Sequence, residues 1–242
     1  MSDRLIVIFF SKDRAMQLDA AIHSMRVHCK DLDLSGIKKV VIFKTTSEIH
    51  ADQYAQLQCE NQDFAFIEEQ QVIQQILLIA SPFKFISFHC DDNIYIRDFA
   101  FIKVTQILSE IKKDSLGHSF RLGKNITYSY TRNSLEPQPI FYNLDSETFV
   151  WNWIKMQPRG FGYPLELSAS VYRCEHILPL ILKLQNSTIA NIESYLMTYR
   201  HKFSISHPFS TCDKLPSVIS VPVNRVGVIQ NKAGQKYSYS IE

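Results

Sequence analysis

Phe85-Ile-Ser-Phe-His-Cys-Asp91-Asp92-Asn93-Ile-Tyr-Ile-Arg97-Asp98 is an apolar, β-branched and aromatic run that stops abruptly at three oxygen-bearing side chains. Residues of that kind form a buried strand, and the abrupt polarity marks its carboxyl end. Two adjacent carboxylates repel unless a positive charge compensates them, and a hard cation such as Mg²⁺ or Mn²⁺ prefers oxygen ligands. The same residues also suit an Asx-type turn whose side chains cap the next helix. The neighbouring segments must choose between a metal-binding edge and a turn.

Upstream of this stretch, strand-like and helix-like periods alternate. Leu5 to Phe10 reads as a first strand, followed by the polar loop Ser11 to Arg14 and a helix with Leu18, Ile22 and Met25 on one face. Lys39 to Phe43 is a second strand that ends in the polar run Lys44 to Ser47, and a helix follows from about Glu48 to Gln58. Asp63 to Ile67 is a short third strand, and Ile73, Ile76, Leu77 and Ala80 share a helical face that Pro82 ends before the fourth strand, Phe83 to Cys90. This β-α-β-α order with continuously apolar strands predicts an α/β fold, a mostly parallel central sheet flanked by helices and joined by right-handed crossovers. Ligands of such sheets gather outside the carboxyl ends of the strands. Ser11 to Arg14, Lys44 to Ser47 and Asp91 to Asn93 all fall on that edge.

Beyond Asp98 the pattern changes. Phe99, Ile102, Ile107, Leu108 and Ile111 suggest a helix, and Ser119 to Gly123 suggests a strand ending in a turn. Residues 124 to 163 are rich in Tyr, Asn, Pro and Trp without a clear period and read as loops and short strands. Their aromatics, among them Tyr128, Tyr130, Tyr142, Trp151, Trp153 and Tyr163, suit either core filling or sugar-ring stacking. Helical spacing returns from about Ser168 to Tyr199 with an interruption near Pro179, and Val218 to Val223 reads as a last strand.

The chain has 242 residues, 45% hydrophobic, enough for one large core. Its formal charge of +2 supplies no global field for nucleic acid, so any anion site must be local. Cys29, Cys59, Cys90, Cys174 and Cys212 contain no C-x-x-C pair, a poor disulfide or zinc framework that fits a reducing compartment. No stretch approaches a membrane span, and Leu5 to Phe10 is too short for a signal segment, so a cytoplasmic location is expected. The sequons at Asn125 and Asn186 would matter only in a secreted chain. His89, inside a strand, reads as a satisfied core histidine, and His118, His201 and His207 have no metal-site spacing.

Taken together, these segments resemble nucleotide-sugar glycosyltransferases of the A fold, of the bacterial polysaccharide type (family-2-like). Ile8 to Leu18 is similar to the family's first βα element, which lines the nucleotide pocket, and Asp91-Asp92-Asn93 to its D-x-D metal and diphosphate motif. Phe120 to Asn125, Trp151 to Trp153 and Gly162 to Leu165 look like segments around the acceptor pocket. Asn191-Ile-Glu193 and Val221 to Arg225 complete the likeness, which covers roughly residues 4 to 226. One position departs from the motif: its third member is Asn93, a neutral ligand, which would weaken metal affinity, shift coordination to Asp92, or mark a member with little metal dependence.

The resemblance implies a single glycosyltransferase domain over 1–242. Its nucleotide-sugar half would cover about 1–98, its acceptor half about 99–226, and a tail 227–242. It implies transfer from a nucleoside-diphosphate sugar, UDP-sugar favoured, to a glycan or lipid-linked saccharide hydroxyl in surface polysaccharide synthesis, inverting and assisted by Mn²⁺ or Mg²⁺. Phe10, Ser11, Lys12, Arg14, Lys44, Asp91 and Asp92 would line the donor site, with the metal at Asp91, Asp92 and Asn93. Basic residues at a helix start oppose its dipole, which favours a ligand role for Lys12 and Arg14. For the general base the first choice is Glu193, with Glu166 and Asp145 in reserve. A glycan- or nucleotide-binding module that has lost catalysis is the alternative. A sugar-phosphate nucleotidyltransferase ranks below both, because the chain has seven glycines and none before Gly36 to build a phosphate loop.

Overall fold

In the computed structural model, which describes residues 5–110, 114–129, 132–184 and 188–221, the first half alternates as the periods predict. β1 (Leu5–Lys12), α1 (Ala15–His28), β2 (Ile37–Lys44), α2 (Glu48–Glu60), β3 (Ala65–Glu68), α3 (Val72–Ala80) and β4 (Phe85–Cys90) lie within a few residues of the expected bounds. Ser47 starts α2 by accepting the His50 N–H at 3.3 Å. After a short β5 (Asn93–Tyr95), α4 (Phe101–Glu110) begins where Asp31 accepts the backbone N–H groups of Phe101 and Ile102 at 3.0 and 2.6 Å.

The second half supplies β6 (Ser115–Ser119), the hairpin β7 (Tyr128–Ser129) and β8 (Ser134–Leu135), β9 (Phe141–Asn143), β10 (Thr148–Asn152) and β11 (Ser170–Arg173). Helices α5 (Cys174–Ile181) and α6 (Ile189–Thr198) follow, then β12 (Phe209–Asp213) and β13 (Val218–Ser220). Nine strands form one sheet in the order β3-β2-β1-β4-β11-β6-β12-β10-β9. From β3 to β4 all pairs are parallel; β11 runs antiparallel to β4 and to β6, β12 is parallel to β6, and β10 and β9 alternate at the far edge.

Each strand of the parallel half faces two cores, as its period of two requires. Leu5, Val7 and Phe9 pack with α1, α2 and α4, whereas Ile6, Ile8 and Phe10 pack with α3, α5 and α6. At about 25 cal/mol per Å² removed from water, these two aliphatic and aromatic layers supply the main drive for folding.

Three expectations for the second half need correction. The strand placed at Ser119 to Gly123 lies instead at Ser115–Ser119, where Leu is the one large apolar residue. A sheet centre can accept such a strand because its neighbours bring the bulk: a Cβ on Gly117 would stand 2.6 Å from the Tyr172 ring. The helical reading from Ser168 misses β11, a strand fully buried between β4 and β6, and Pro179 lies inside α5 rather than at the break, which follows Ile181. The periods give no sign of β12 at all. Tyr130, Asn186, Val223 to Arg225 and the tail 227–242 lie outside the described residues.

Candidate active site

β1 and β4 are adjacent and parallel, with Phe10 opposite Cys90 and the Asp91 N–H donating to the Phe10 carbonyl at 3.1 Å. Their carboxyl ends therefore deliver Ser11 to Arg14 and Asp91 to Asn93 to one place. Lys12 and Lys44 are register partners at the ends of β1 and β2, both exposed. Phe10 is a core residue stacked on Phe88 at 5.8 Å between ring centroids.

Asp91 is 1% exposed. Its Oδ2 accepts the Ser11 hydroxyl at 2.8 Å and the Arg14 Nε at 3.0 Å, and Arg14 Nη2 donates to Oδ1. Burial pushes the Asp91 carboxyl up, with Arg14 and Ser11 pulling against it. Ser11 also shares a hydrogen bond with the Tyr54 hydroxyl, which accepts the Arg14 backbone N–H at 3.2 Å. Burial raises the Tyr54 phenol to about 12, so this contact stays neutral. One residue before Arg14, Asp13 has φ 53°, the left-handed region that costs a non-glycine residue about a kcal/mol or more. Its carboxylate accepts the Thr46 N–H at 2.7 Å and the Thr46 hydroxyl at 2.9 Å, which fixes the loop after β1 to the loop after β2.

Asp92 and Asn93 differ in burial, and Asn93 Nδ2 donates to Asp92 Oδ1 at 3.3 Å. Asp92 is half-buried; burial raises its carboxyl, and the charges of Arg14 and Arg121 act in the opposite direction. Asn93 is fully buried: its Oδ1 accepts the Cys90 N–H at 2.9 Å, and its Nδ2 donates to the Ser168 and Ser220 hydroxyls at 2.9 and 3.1 Å. Its side chain thus closes the turn and ties β4 to the segments before β11 and at β13.

Because β6 runs parallel to β4, the residues after its end reach the same edge. Arg121 lies there and pairs with Glu166, which is 4% exposed and also accepts the Ser119 and Ser170 hydroxyls at 2.7 and 2.9 Å. Glu193, on the inner side of α6, accepts the Leu167 N–H at 2.8 Å. Burial pushes the Glu193 carboxyl up and Glu166 adds to the shift; the Leu167 N–H, Arg121 and the Tyr163 hydroxyl oppose it. A carboxyl raised in this way keeps more of its proton affinity than a solvated one, which suits proton abstraction near neutral pH.

The third candidate base is elsewhere. Asp145 lies exposed in the turn between β9 and β10, where its Oδ1 accepts the N–H groups of Glu147 and Thr148, both at 2.7 Å. That is the far edge of the sheet. His89 is buried and satisfied by Ser87 at 2.7 Å and Tyr95 at 2.6 Å, the core role its strand position suggests.

Tyr54 joins the site without a sequence signal that assigns it there, whereas Asp13, Arg121 and Tyr163 lie in segments the sequence places at this edge or at the acceptor pocket without giving each a role. Arg121 lies just past a strand end, as Arg14 and Asp91 do, but a strand read at Ser119 to Gly123 hides it in the strand interior.

No protein-family model matches the chain. It is 28% identical over 217 residues to the bifunctional glycosyltransferase pgtA of Dictyostelium discoideum, covering 84% of this chain and 26% of that protein. Among solved structures it is similar to the mannosyltransferase PcManGT of Pyrobaculum calidifontis, in complex with GDP-Man and Mn²⁺, with a TM-score of 0.56 at 10% identity over 92% of this chain. S. aureus TarS 1–349, in complex with UDP, gives 0.50 at 13% identity over 88%. The chain has the glycosyltransferase A fold. It spans 58% of each of these two solved chains and about a quarter of the curated relative.

Among the described residues, no group of three or more His, Cys, Asp or Glu side chains is arranged to hold a metal ion by itself. Mg²⁺-like ions commonly use one or two carboxylates together with substrate phosphates. Asp92 offers such a carboxylate, since Asp91 is matched by Arg14 and Glu166 by Arg121. No helix among the described residues is long and apolar enough to cross a membrane.

Proposed function

We propose that the chain transfers a sugar from a nucleoside-diphosphate sugar, UDP-sugar favoured, to a hydroxyl of a glycan or lipid-linked saccharide during surface polysaccharide synthesis. The observation that carries this is the convergence of Asp92, Arg14, Arg121 and a raised Glu193 on the carboxyl edge of an A-fold sheet. Residues 1–98 supply the donor side of that edge through Arg14, Asp91 and Asp92. Residues 99–226 supply the acceptor side through Arg121, Tyr163 and Glu193.

A divalent cation, when bound, neutralises charge developing on the leaving diphosphate, and Asp92 is the side chain that would hold it. Asp91 does not compete for that role: it fixes Arg14 and the loop after β1. Arg121, held from behind by Glu166, supplies positive charge where the diphosphate departs. Glu193 takes the proton of the acceptor hydroxyl; the hydroxyl oxygen bonds to the anomeric carbon from the face opposite the diphosphate, whose oxygen leaves with the electron pair. The configuration is inverted. The Leu167 N–H and Tyr163 orient the Glu193 carboxylate for this step, a contribution of about 10²–10⁴ in rate for a general base.

Thermal unfolding with a panel of nucleotide sugars and Mn²⁺ tests the donor site. A ligand at 100 times its dissociation constant adds about 2.7 kcal/mol, roughly 5–10 °C for a chain of this size. No shift with any nucleotide sugar would sink the proposal. The alternative of an inactive binding module draws on the commitment of both Asp91 and Asn93 to the fold. It wins if donor binds and no transfer is measured; a transfer rate that Asp92→Ala and Glu193→Ala leave unchanged points to another catalytic residue set.

A further inference from the structure

Helix α6 carries Glu193 in its first half, and the corner that follows its end gathers two ammonium groups around one aromatic ring. Lys183, just after α5, and Lys202 place their ammonium groups 5.7 and 4.7 Å from the centre of the same ring, Tyr199. Through direct contact, Lys183 pushes the Lys202 ammonium below its usual range. Arg200 and His201 lie between Tyr199 and Lys202 in the chain. Among the described residues Lys183, Arg200 and Lys202 make no ion pair. Two ammonium groups held together repel, and an anion above them removes that repulsion.

The same corner carries bare hydrocarbon. Ile205 is 94% exposed, Leu182 59% and Tyr195 47%. Isolated exposed aliphatics are ordinary, but here they flank the cation cluster in the chain: Leu182 directly precedes Lys183, and Ile205 follows Lys202 by three residues. Cations, an amphipathic phenol and protruding aliphatic side chains together match the layers of an anionic bilayer face. Phosphates meet the ammonium groups, the phenol sits at headgroup level, and the hydrocarbon enters the acyl boundary.

We propose that the corner formed by Leu182, Lys183, Tyr199, Arg200, Lys202 and Ile205 docks on an anionic phospholipid surface. Glu193 precedes Tyr199 by six residues, about 9 Å along a helix at 1.5 Å per residue. A docked chain would therefore hold its base close above the headgroups, within reach of a saccharide tethered to lipid. That last consequence rests on the glycosyltransferase reading; the docking itself does not.

Co-sedimentation of the full chain with phosphatidylglycerol/phosphatidylcholine vesicles, against pure phosphatidylcholine, tests the proposal. Binding is expected to the anionic vesicles only and to fall at high salt. Lys183→Glu with Lys202→Glu should weaken partitioning roughly tenfold or more, and Ile205→Asp should weaken it measurably at low salt. Both variants should keep the wild-type melting temperature and any nucleotide-induced shift. No binding to anionic vesicles, or binding that these variants leave unchanged, overturns the proposal. So does full binding by Ile205→Asp together with displacement by heparin, which would mark a site for soluble polyanions. If vesicles bind while no nucleotide sugar does, the docking stands and the donor reading fails.

Discussion

Arg14→Gln isolates the charge balance at the end of β4. The pair it breaks is well covered, with the Arg14 side chain 13% and the Asp91 side chain 1% exposed, and the variant leaves the Ser11 hydroxyl donating to Asp91. Removing one partner of a buried pair costs about 3–5 kcal/mol, and the partial exposure of Arg14 puts the expectation near 3, a fall of about 6–12 °C. Asp91 already holds its proton above the ordinary carboxylate range because of burial, and loss of Arg14 removes the main opposing influence. The folded variant then binds a proton that the unfolded chain has released. Its stability is therefore highest below the unfolded carboxylate value, about 3.9, and falls as pH rises through the higher folded value. The deficit against wild type should be clearly smaller at pH 5 than at pH 7.5 in urea titrations with unchanged slope. Asp91→Asn should rescue at least about 1 kcal/mol in the double variant. A deficit independent of pH, with simple additivity of the two substitutions, would refute the assignment of Asp91 as a buried charge neutralised by Arg14.

Glu193→Gln should lower the transfer rate by about 10²–10⁴ while nucleotide-induced stabilisation persists, and Asp145→Ala should leave the rate near wild type; comparable losses in both variants would contradict the placement of the base. Because Arg121 holds the Glu193 carboxyl down, Arg121→Gln should move the acid limb of the kcat/KM profile to higher pH, and an unmoved limb argues against that coupling. Asn93→Ala strips partners from the Cys90 N–H, from Ser168 and Ser220 and from Asp92 Oδ1, an expected loss of about 1–3 kcal/mol in chemical unfolding. Burial holds His89 near a pKa of about 3, so its contribution is present above the unfolded value near 6.5 and is lost as pH falls toward 3. Between pH 7 and pH 5 this amounts to about 2 kcal/mol. His89→Gln should flatten that part of the stability profile, and an equally steep profile would rule His89 out as its source.

The first four strands are legible in the sequence because burial on both faces leaves a continuous apolar run, as in Leu5 to Phe10, and the helices between them show one-sided stripes. That logic fails for β6 and β11. In the mixed half of the sheet, Ser115, Gly117, His118 and Ser119 are buried by what neighbours bring, chiefly Tyr172, so their own sequence looks like a turn. The site divides along the same line. Arg14, Asp91 and Asp92 stand at recognisable strand ends, and the pairing of Asp91 with Arg14 follows from their register. The bracing roles of Asn93 and Glu166 do not show, because both depend on hydroxyls more than 40 residues away in the chain, Ser168, Ser220 and Ser119. Side-chain type alone cannot tell an oxygen aimed at solvent from one turned inward to a backbone N–H.

The position of β11 has a consequence in time. β4 pairs with β1 on one side, and its other side is covered by β11, whose last residue, Arg173, is made 83 residues after Cys90. At the usual 5–20 residues per second, a nascent chain carries an uncovered parallel edge for roughly 4 to 17 s. A bare edge of Phe85 to Cys90 is a template for pairing with another chain. Synthesis therefore passes through an interval in which a strand destined for the sheet centre is open to pairing along its side, and conditions that slow translation between Asp91 and Arg173 should lower soluble yield without changing the stability of the finished protein.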